Sequence, residues 1–320
     1  MSLTGSAPNG DQGASELPGQ AVSLNYGFKM ETRRLGRTGH LSSVAILGGA
    51  AFAASTPADA EAHLHMALDR GVNHLDIAPR YGDAELAVGP HIPAVRSRLF
   101  IGAKTAERSA DAAKADLDRT LDRFGADHVD LYQAHAITDI AELDRSGEAF
   151  DVIVNARDEG KARFAGVTGH DLGAPRAHLE AVKRYDLDTV MFPIYPRVWA
   201  DPVYRADAQA LLDYCGEHDI GVQIIKAIAR RPWGDIEPFH RCWYEPWTDD
   251  DPIARGVGFA LSTPGVTGIC TVGDLELLPK VLDAAENFQP WTPEERAAIA
   301  DSMNGEPIIF PLADHFRRDT

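Results

Sequence analysis

Eight short β-rich runs alternate with eight helical stretches, no change of composition separates them, and chemically reactive residues gather where the runs end. These observations predict one α/β domain: a single (β/α)8 TIM barrel with an N-terminal hairpin and long C-terminal-face loops. A doubly wound sheet is the competitor. It wants a Gly-x-Gly-x-x-Gly turn after its first strand, and Gly48-Gly-Ala-Ala-Phe-Ala does not supply one.

Residues 1–29 are rich in Gly, Ser, Ala, Pro and Asn and show no period, which predicts a disordered tail or extension ahead of a folded body at 30–320. The run from Met30 through Arg33, Arg34 and Gly39 reads as a short hairpin. Strands are expected at 44–48, 72–77, 99–103, 129–134, 162–168, 189–194, 220–225 and 267–271. Helices are expected at 57–70, 84–95, 109–124, 139–159, 174–185, 202–218, 252–262 and 274–286, with a last one near 293–302. Thr56-Pro57, Ser109, Asp201-Pro202 and Asp251-Pro252 offer a capping side chain or a first-turn proline. Gly71, Gly125 and Gly160 stand where helix ends want a left-handed residue. Two segments break the rhythm: 227–251, which carries five aromatics and reads as a substrate lid, and the Pro-punctuated stretch 303–320.

A hydrophobic content of 44% and a charged content of 25% over 320 residues are those of a soluble globular protein with a large core. A net charge of −17 argues against nucleic acid or an anionic membrane as partners. Cys215, Cys242 and Cys270 show neither metal-type spacing nor a disulfide pattern, which fits a reducing cytoplasm. No apolar run approaches a membrane span and no signal-peptide pattern opens the chain, so a cytoplasmic location is expected. His240, Cys242 and Asp249–Asp251 lack zinc-type spacing, and no metal is expected. Oligomeric state is not readable.

Asp76, Tyr81, Lys104 and His135 lie at or just beyond three successive strand ends, and barrel strand ends share one mouth. Reducing a carbonyl needs a hydride from one side and a proton on the oxygen that gains charge. A free tyrosine has a pKa of about 10, and a nearby ammonium lowers it by stabilising the phenolate. Tyr81 is thus the expected acid, Lys104 its tuner, Asp76 the partner of the lysine and His135 the group that orients the carbonyl.

Arg33-Arg-Leu-Gly-Arg-Thr-Gly, Asn73-His-Leu-Asp-Ile-Ala-Pro-Arg-Tyr-Gly-Asp, Ile101-Gly-Ala-Lys-Thr, Asp130-Leu-Tyr-Gln-Ala-His, Gly160-Lys-Ala-Arg-Phe-Ala-Gly-Val-Thr-Gly-His and Ile220-Gly-Val-Gln-Ile-Ile-Lys together resemble the aldo-keto reductases. The resemblance runs from about Met30 to the eighth helix, and it falls to the subset with Ile-Lys in strand seven and Thr-Gly-His after strand five. It implies NADPH or NADH as cofactor, extended across the barrel mouth, and a small carbonyl or alcohol substrate. Asp76, Tyr81, Lys104 and His135 match the family's catalytic tetrad.

The same resemblance places Thr168, Gly169, His170 and Lys226 around the cofactor, with Met191 where family members carry a Gln. Gly273 and the following helix start are expected to hold a phosphate through backbone N–H groups, and Asp274 to cap that helix. With Glu276 beside it, Asp274 is poor company for a 2′-phosphate, so a preference for NADPH over NADH is expected to be weak or reversed. Arg197, Arg230 and Arg231 near the rim are candidates for an anionic group. The competing function is a nucleotide-binding regulatory or scaffold protein with little turnover, suggested by the thinner carboxamide clamp.

Overall fold

The computed structural model describes residues 1–2 and 30–312; the expected tail from residue 3 to 29 and the stretch 313–320 lie outside the described residues. An antiparallel hairpin, β1 (Thr32–Arg34) and β2 (Leu41–Ser43), precedes the barrel. The barrel strands are β3 (Ala45–Gly48), β4 (His74–Asp76), β5 (Phe100–Thr105), β6 (Val129–Ala134), β7 (Ala162–Thr168), β8 (Thr189–Pro193) and β9 (Gly221–Ile225). After a two-stranded ribbon, β10 (Ala229–Arg231) and β11 (Glu245–Pro246), the eighth barrel strand follows as β12 (Val266–Cys270). β12 pairs in parallel with both β3 and β9, which closes the circle. All eight strands fall within two residues of their expected bounds.

β5 and β6 are buried at every position, as strands covered on both faces must be. The helices packed around them are α1 (Pro57–Asp69), α2 (Ala84–Val88), α3 (Ile92–Val95), α4 (Ala110–Phe124), α5 (Ile140–Arg145), α6 (Gly147–Asp158), α7 (Ala174–Arg184), α8 (Pro196–Ala200), α9 (Pro202–Glu217), α10 (Asp250–Leu261), α11 (Leu278–Glu286) and α12 (Pro293–Ser302). Thr56 and Asp201 cap as expected, accepting from Asp59 N–H and from Val203 and Tyr204 N–H. Gly71, Gly125 and Gly160 take φ of +88°, +54° and +72°. Among the described residues no helix is long and apolar enough to cross a membrane.

Five expectations need correction. The helix expected over 139–159 is two, because the Ser146 hydroxyl bonds back to the Glu142 carbonyl and the chain turns there. The stretch 84–95 is interrupted by a 3-10 turn at Gly89–His91, where Pro90 cannot donate. Ser109 makes no side-chain cap, and the helix expected to begin after Asp251 begins at Asp250. The helix expected from 274 begins at Leu278, behind a turn.

The hairpin seals the barrel floor. Leu35 is fully buried in a small cluster with Phe100 and Leu131. Gly221 is what lets it enter, since a Cβ there would sit 2.6 Å from the Leu35 side chain. The opposite rim is therefore the open one. There 227–251 is ordered by the ribbon, by Arg230 and Arg231 both paired to Glu245 (2.5 and 2.6 Å), and by Trp233 Nε1 donating to the Cys242 carbonyl.

Candidate active site

β4 ends on Asp76, and the chain turns through Ala78–Tyr81, with Tyr81 N–H donating to the Ala78 carbonyl. Gly82 has φ +51°, and a Cβ there would lie 2.7 Å from the Ala53 carbonyl, so only glycine lets this turn pack against the loop after β3. That packing aims Tyr81 into the mouth. Lys104 projects from β5, and His135 follows β6 with its N–H on the Thr105 carbonyl. All four expected residues come together. Lys104 Nζ is 2.5 Å from Asp76 Oδ2 and 3.3 Å from Tyr81 Oη. The His135 ring stands perpendicular to the Tyr81 ring, 5.6 Å between centroids.

The charges are fixed by their surroundings. Burial alone would favour a neutral Lys104 amine, but Asp76 and Tyr81 outweigh it and hold the pKa above the usual lysine range. Burial and then the Lys104 charge push His135 well down, so its imidazole is neutral. Tyr81 departs from expectation. Lys104 does pull its pKa down, as expected, but burial raises it more and the phenol stays protonated. The hydroxyl is therefore a proton donor at rest rather than a half-formed phenolate.

Tyr81, His135 and Asp76 line a cavity of about 60 Å³ whose other wall carries Thr168, Gly169, His170, Met191 and Lys226. The cofactor-side expectations thus fall on the same cavity. A Cβ on Gly169 would lie 2.0 Å from the Ile137 carbonyl, so this position is a close backbone packing point. His170 stacks near Phe310, 6.3 Å between centroids. Lys226 is buried, has φ +67°, and holds its ammonium over Trp243 (5.2 Å) and Tyr244 (5.6 Å). No carboxylate among the described residues pairs with it, and burial pushes its pKa down to about 8.

The phosphate cradle expected after strand eight is altered. Asp274 already accepts from Glu276 and Leu277 N–H, and from His240 Nδ1 and Arg241 N–H, so it caps the turn ahead of α11 and occupies those amides itself. Gly273 lines the cavity and sits tight against the Arg241 carbonyl, 3.3 Å from where a Cβ would be. His240, Asp274 and Glu276 form the one trio of potential metal ligands among the described residues, within 4.8 Å of one another. The rim arginines are engaged elsewhere: Arg197 with the Glu306 carbonyl, and Arg230 and Arg231 with Glu245.

A wider cleft of about 720 Å³ opens beside the cavity and shares Tyr81, Cys242 and Trp243 with it. Its walls include Ser55, Asp59, His63, Arg80, Arg241 and Glu276. Residues of 227–251 thus line both spaces, Trp243 approaching the Tyr81 ring at 6.0 Å.

Two contacts to Asp76 escaped the sequence reading. Gln133 Nε2 donates to Oδ1 at 3.3 Å, and Cys270 Sγ lies 3.6 Å from Oδ2. A signal existed for Gln133, because it shares strand parity with His135 two residues later. Cys270 ends the eighth strand and could have been found the same way.

An ion-paired lysine, a phenol and a neutral imidazole thus stand together at the open rim of a closed parallel barrel, the rim formed by the strand C-termini. The chain belongs to the aldo/keto reductase family, whose model matches residues 45–230. Among similar proteins, "L-galactose dehydrogenase" of Arabidopsis thaliana is 29% identical over 179 residues, 51% of this chain and 56% of that protein. "6-Dehydroglucose reductase" of Novosphingobium aromaticivorans is 36% identical over 131 residues, 35% of this chain and 42% of that protein. The chain thus aligns with only about half the length of these relatives. An aldo-keto reductase structure from Bacillus halodurans superimposes with a TM-score of 0.65 at 20% identity, covering 85% of this chain and 96% of that one, a likeness of fold.

Proposed function

We propose that this protein is an NAD(P)-dependent oxidoreductase that moves a hydride between nicotinamide and the carbonyl or alcohol carbon of a small molecule. The observation carrying this reading is the Tyr81 hydroxyl 3.3 Å from an ammonium that Asp76 holds charged, at the wall of a cavity in the barrel mouth. The cavity wall fits the cofactor's polar parts: Thr168 and His170 offer hydrogen bonds to a carboxamide, and Lys226 is a buried cation with no ion-paired carboxylate among the described residues. When bound there, the nicotinamide supplies or accepts the hydride. In the reducing direction, Tyr81 gives its proton to the substrate oxygen as charge develops on it. Lys104 then stabilises the phenolate left behind, and Asp76 keeps Lys104 charged and aimed. His135, neutral, donates a hydrogen bond to the same oxygen and polarises the carbonyl.

Hydroxylated aldehydes and their alcohols are the substrate class proposed for first tests. Two relatives are named for hexose-type substrates, and the wider cleft offers Ser55, Asp59, His63 and Arg80 to hydroxyl groups. The test follows nicotinamide absorbance with such a panel, using wild type and Tyr81→Phe. Turnover that the variant loses supports the enzyme. Nucleotide binding with no turnover on any member would favour the regulatory reading, to which Met191 in place of a polar clamp residue gives footing.

A further inference from the structure

Lys226 differs from every other lysine described. It is 7% exposed, it lines the cavity that also holds Tyr81 and His135, and no carboxylate among the described residues pairs with it. Its neighbours are aromatic faces rather than water. It is held in the left-handed backbone region, which for a residue other than glycine persists only where packing enforces it. We propose that Lys226 in the nucleotide-free protein is an amine nucleophile that captures small aldehydes as imines within the cavity.

The chemistry balances without an oxidant or reductant. The nitrogen lone pair forms a bond to the carbonyl carbon as the C=O pair moves to oxygen, and one N–H proton is passed to that oxygen to give a carbinolamine. The oxygen takes a second proton and leaves as water, the nitrogen lone pair forms the C=N bond, and the nitrogen gives up its remaining proton to restore the donor. Desolvation is the ordinary means of making a lysine nucleophilic, and the lowered pKa near 8 leaves some free amine at neutral pH. Tyr81, a protonated phenol in the same cavity, is a proton source for the departing oxygen. Lys104 lies behind Tyr81 and Asp76, which line the cavity, and its lone pair is committed to a proton that Asp76 holds in place at 2.5 Å.

The test uses the full chain without nucleotide, propionaldehyde and cyanoborohydride at neutral pH, and peptide mapping of the reduced adducts by mass spectrometry at low conversion. Lys226 is expected to be modified at least about tenfold faster than the exposed Lys183 and Lys280, because more of it is unprotonated. Lys104 is expected to stay unmodified, and Lys226→Arg to lose only the fast adduct. Modification of Lys226 no faster than Lys183 and Lys280, or preferential modification of Lys104, would overturn the proposal. Mapping is done on the wild-type chain, so a poorly folding variant does not decide the outcome. No nucleotide is present, so absence of hydride transfer would leave this result unchanged.

Discussion

Lys104, behind Tyr81 and Asp76, and Lys226 stand on opposite sides of the barrel around one cavity, and both are more than nine-tenths buried. Lys104 has Asp76 at 2.5 Å and its pKa rises; Lys226 has ring faces and no ion-paired carboxylate among the described residues, and burial lowers its pKa to about 8. Burial imposes the same loss of water on each ammonium, so the presence of one carboxylate sets the sign. The comparison divides the site into a side finished within the chain, which tunes a proton donor, and a side left with uncompensated charge.

Removing the finished partner should have the largest effect. Lys104→Met leaves the Asp76 charge buried, with Gln133 and Cys270 as its remaining contacts, and should cost about 3–5 kcal/mol in urea unfolding. A loss below about 1 kcal/mol would mean that the pair contributes far less than its burial implies.

The opposite sign is expected at Lys226. Its folded pKa of about 8 lies below the ordinary 10.5, so between those values the unfolded chain binds a proton that the folded chain does not. Stability contributed by this group therefore rises with pH through that window, and below pH 8 the penalty is complete, about 3 kcal/mol at most. Lys226→Met keeps the same backbone strain and should stabilise the protein at pH 7. The gain should shrink between pH 8 and 10.5, and a variant less stable than wild type at pH 7 would contradict it.

A smaller effect is expected in nucleotide choice. Asp274 occupies its neighbouring amides and stands beside Glu276, so NADPH should be favoured over NADH by less than about tenfold in kcat/KM, or about 1.4 kcal/mol. A hundredfold advantage for NADPH would show that a 2′-phosphate is held elsewhere.

Much of this was legible in the chain. Strand bounds followed from apolar runs ended by turn residues, and Asp76, Tyr81, Lys104 and His135 followed from their strand-end positions. What escaped depends on distance in sequence. The β10–β11 ribbon forms because Arg230 and Arg231 meet Glu245, a pairing no local pattern announces. Asp274 spends its acceptors on His240 and Arg241, which arrive from the 227–251 segment some thirty residues earlier. The raised Tyr81 pKa was missed because neighbour charge can be inferred from residue types, whereas burial depends on how 227–251 folds over the mouth.

The most direct test of the central claim, that the Tyr81 hydroxyl transfers the proton, is nicotinamide turnover of a hydroxylated aldehyde by wild type and Tyr81→Phe, with nucleotide affinity measured for both. The account predicts a fall in kcat of about a thousandfold with affinity retained. Turnover by the variant within a few-fold of wild type would contradict it.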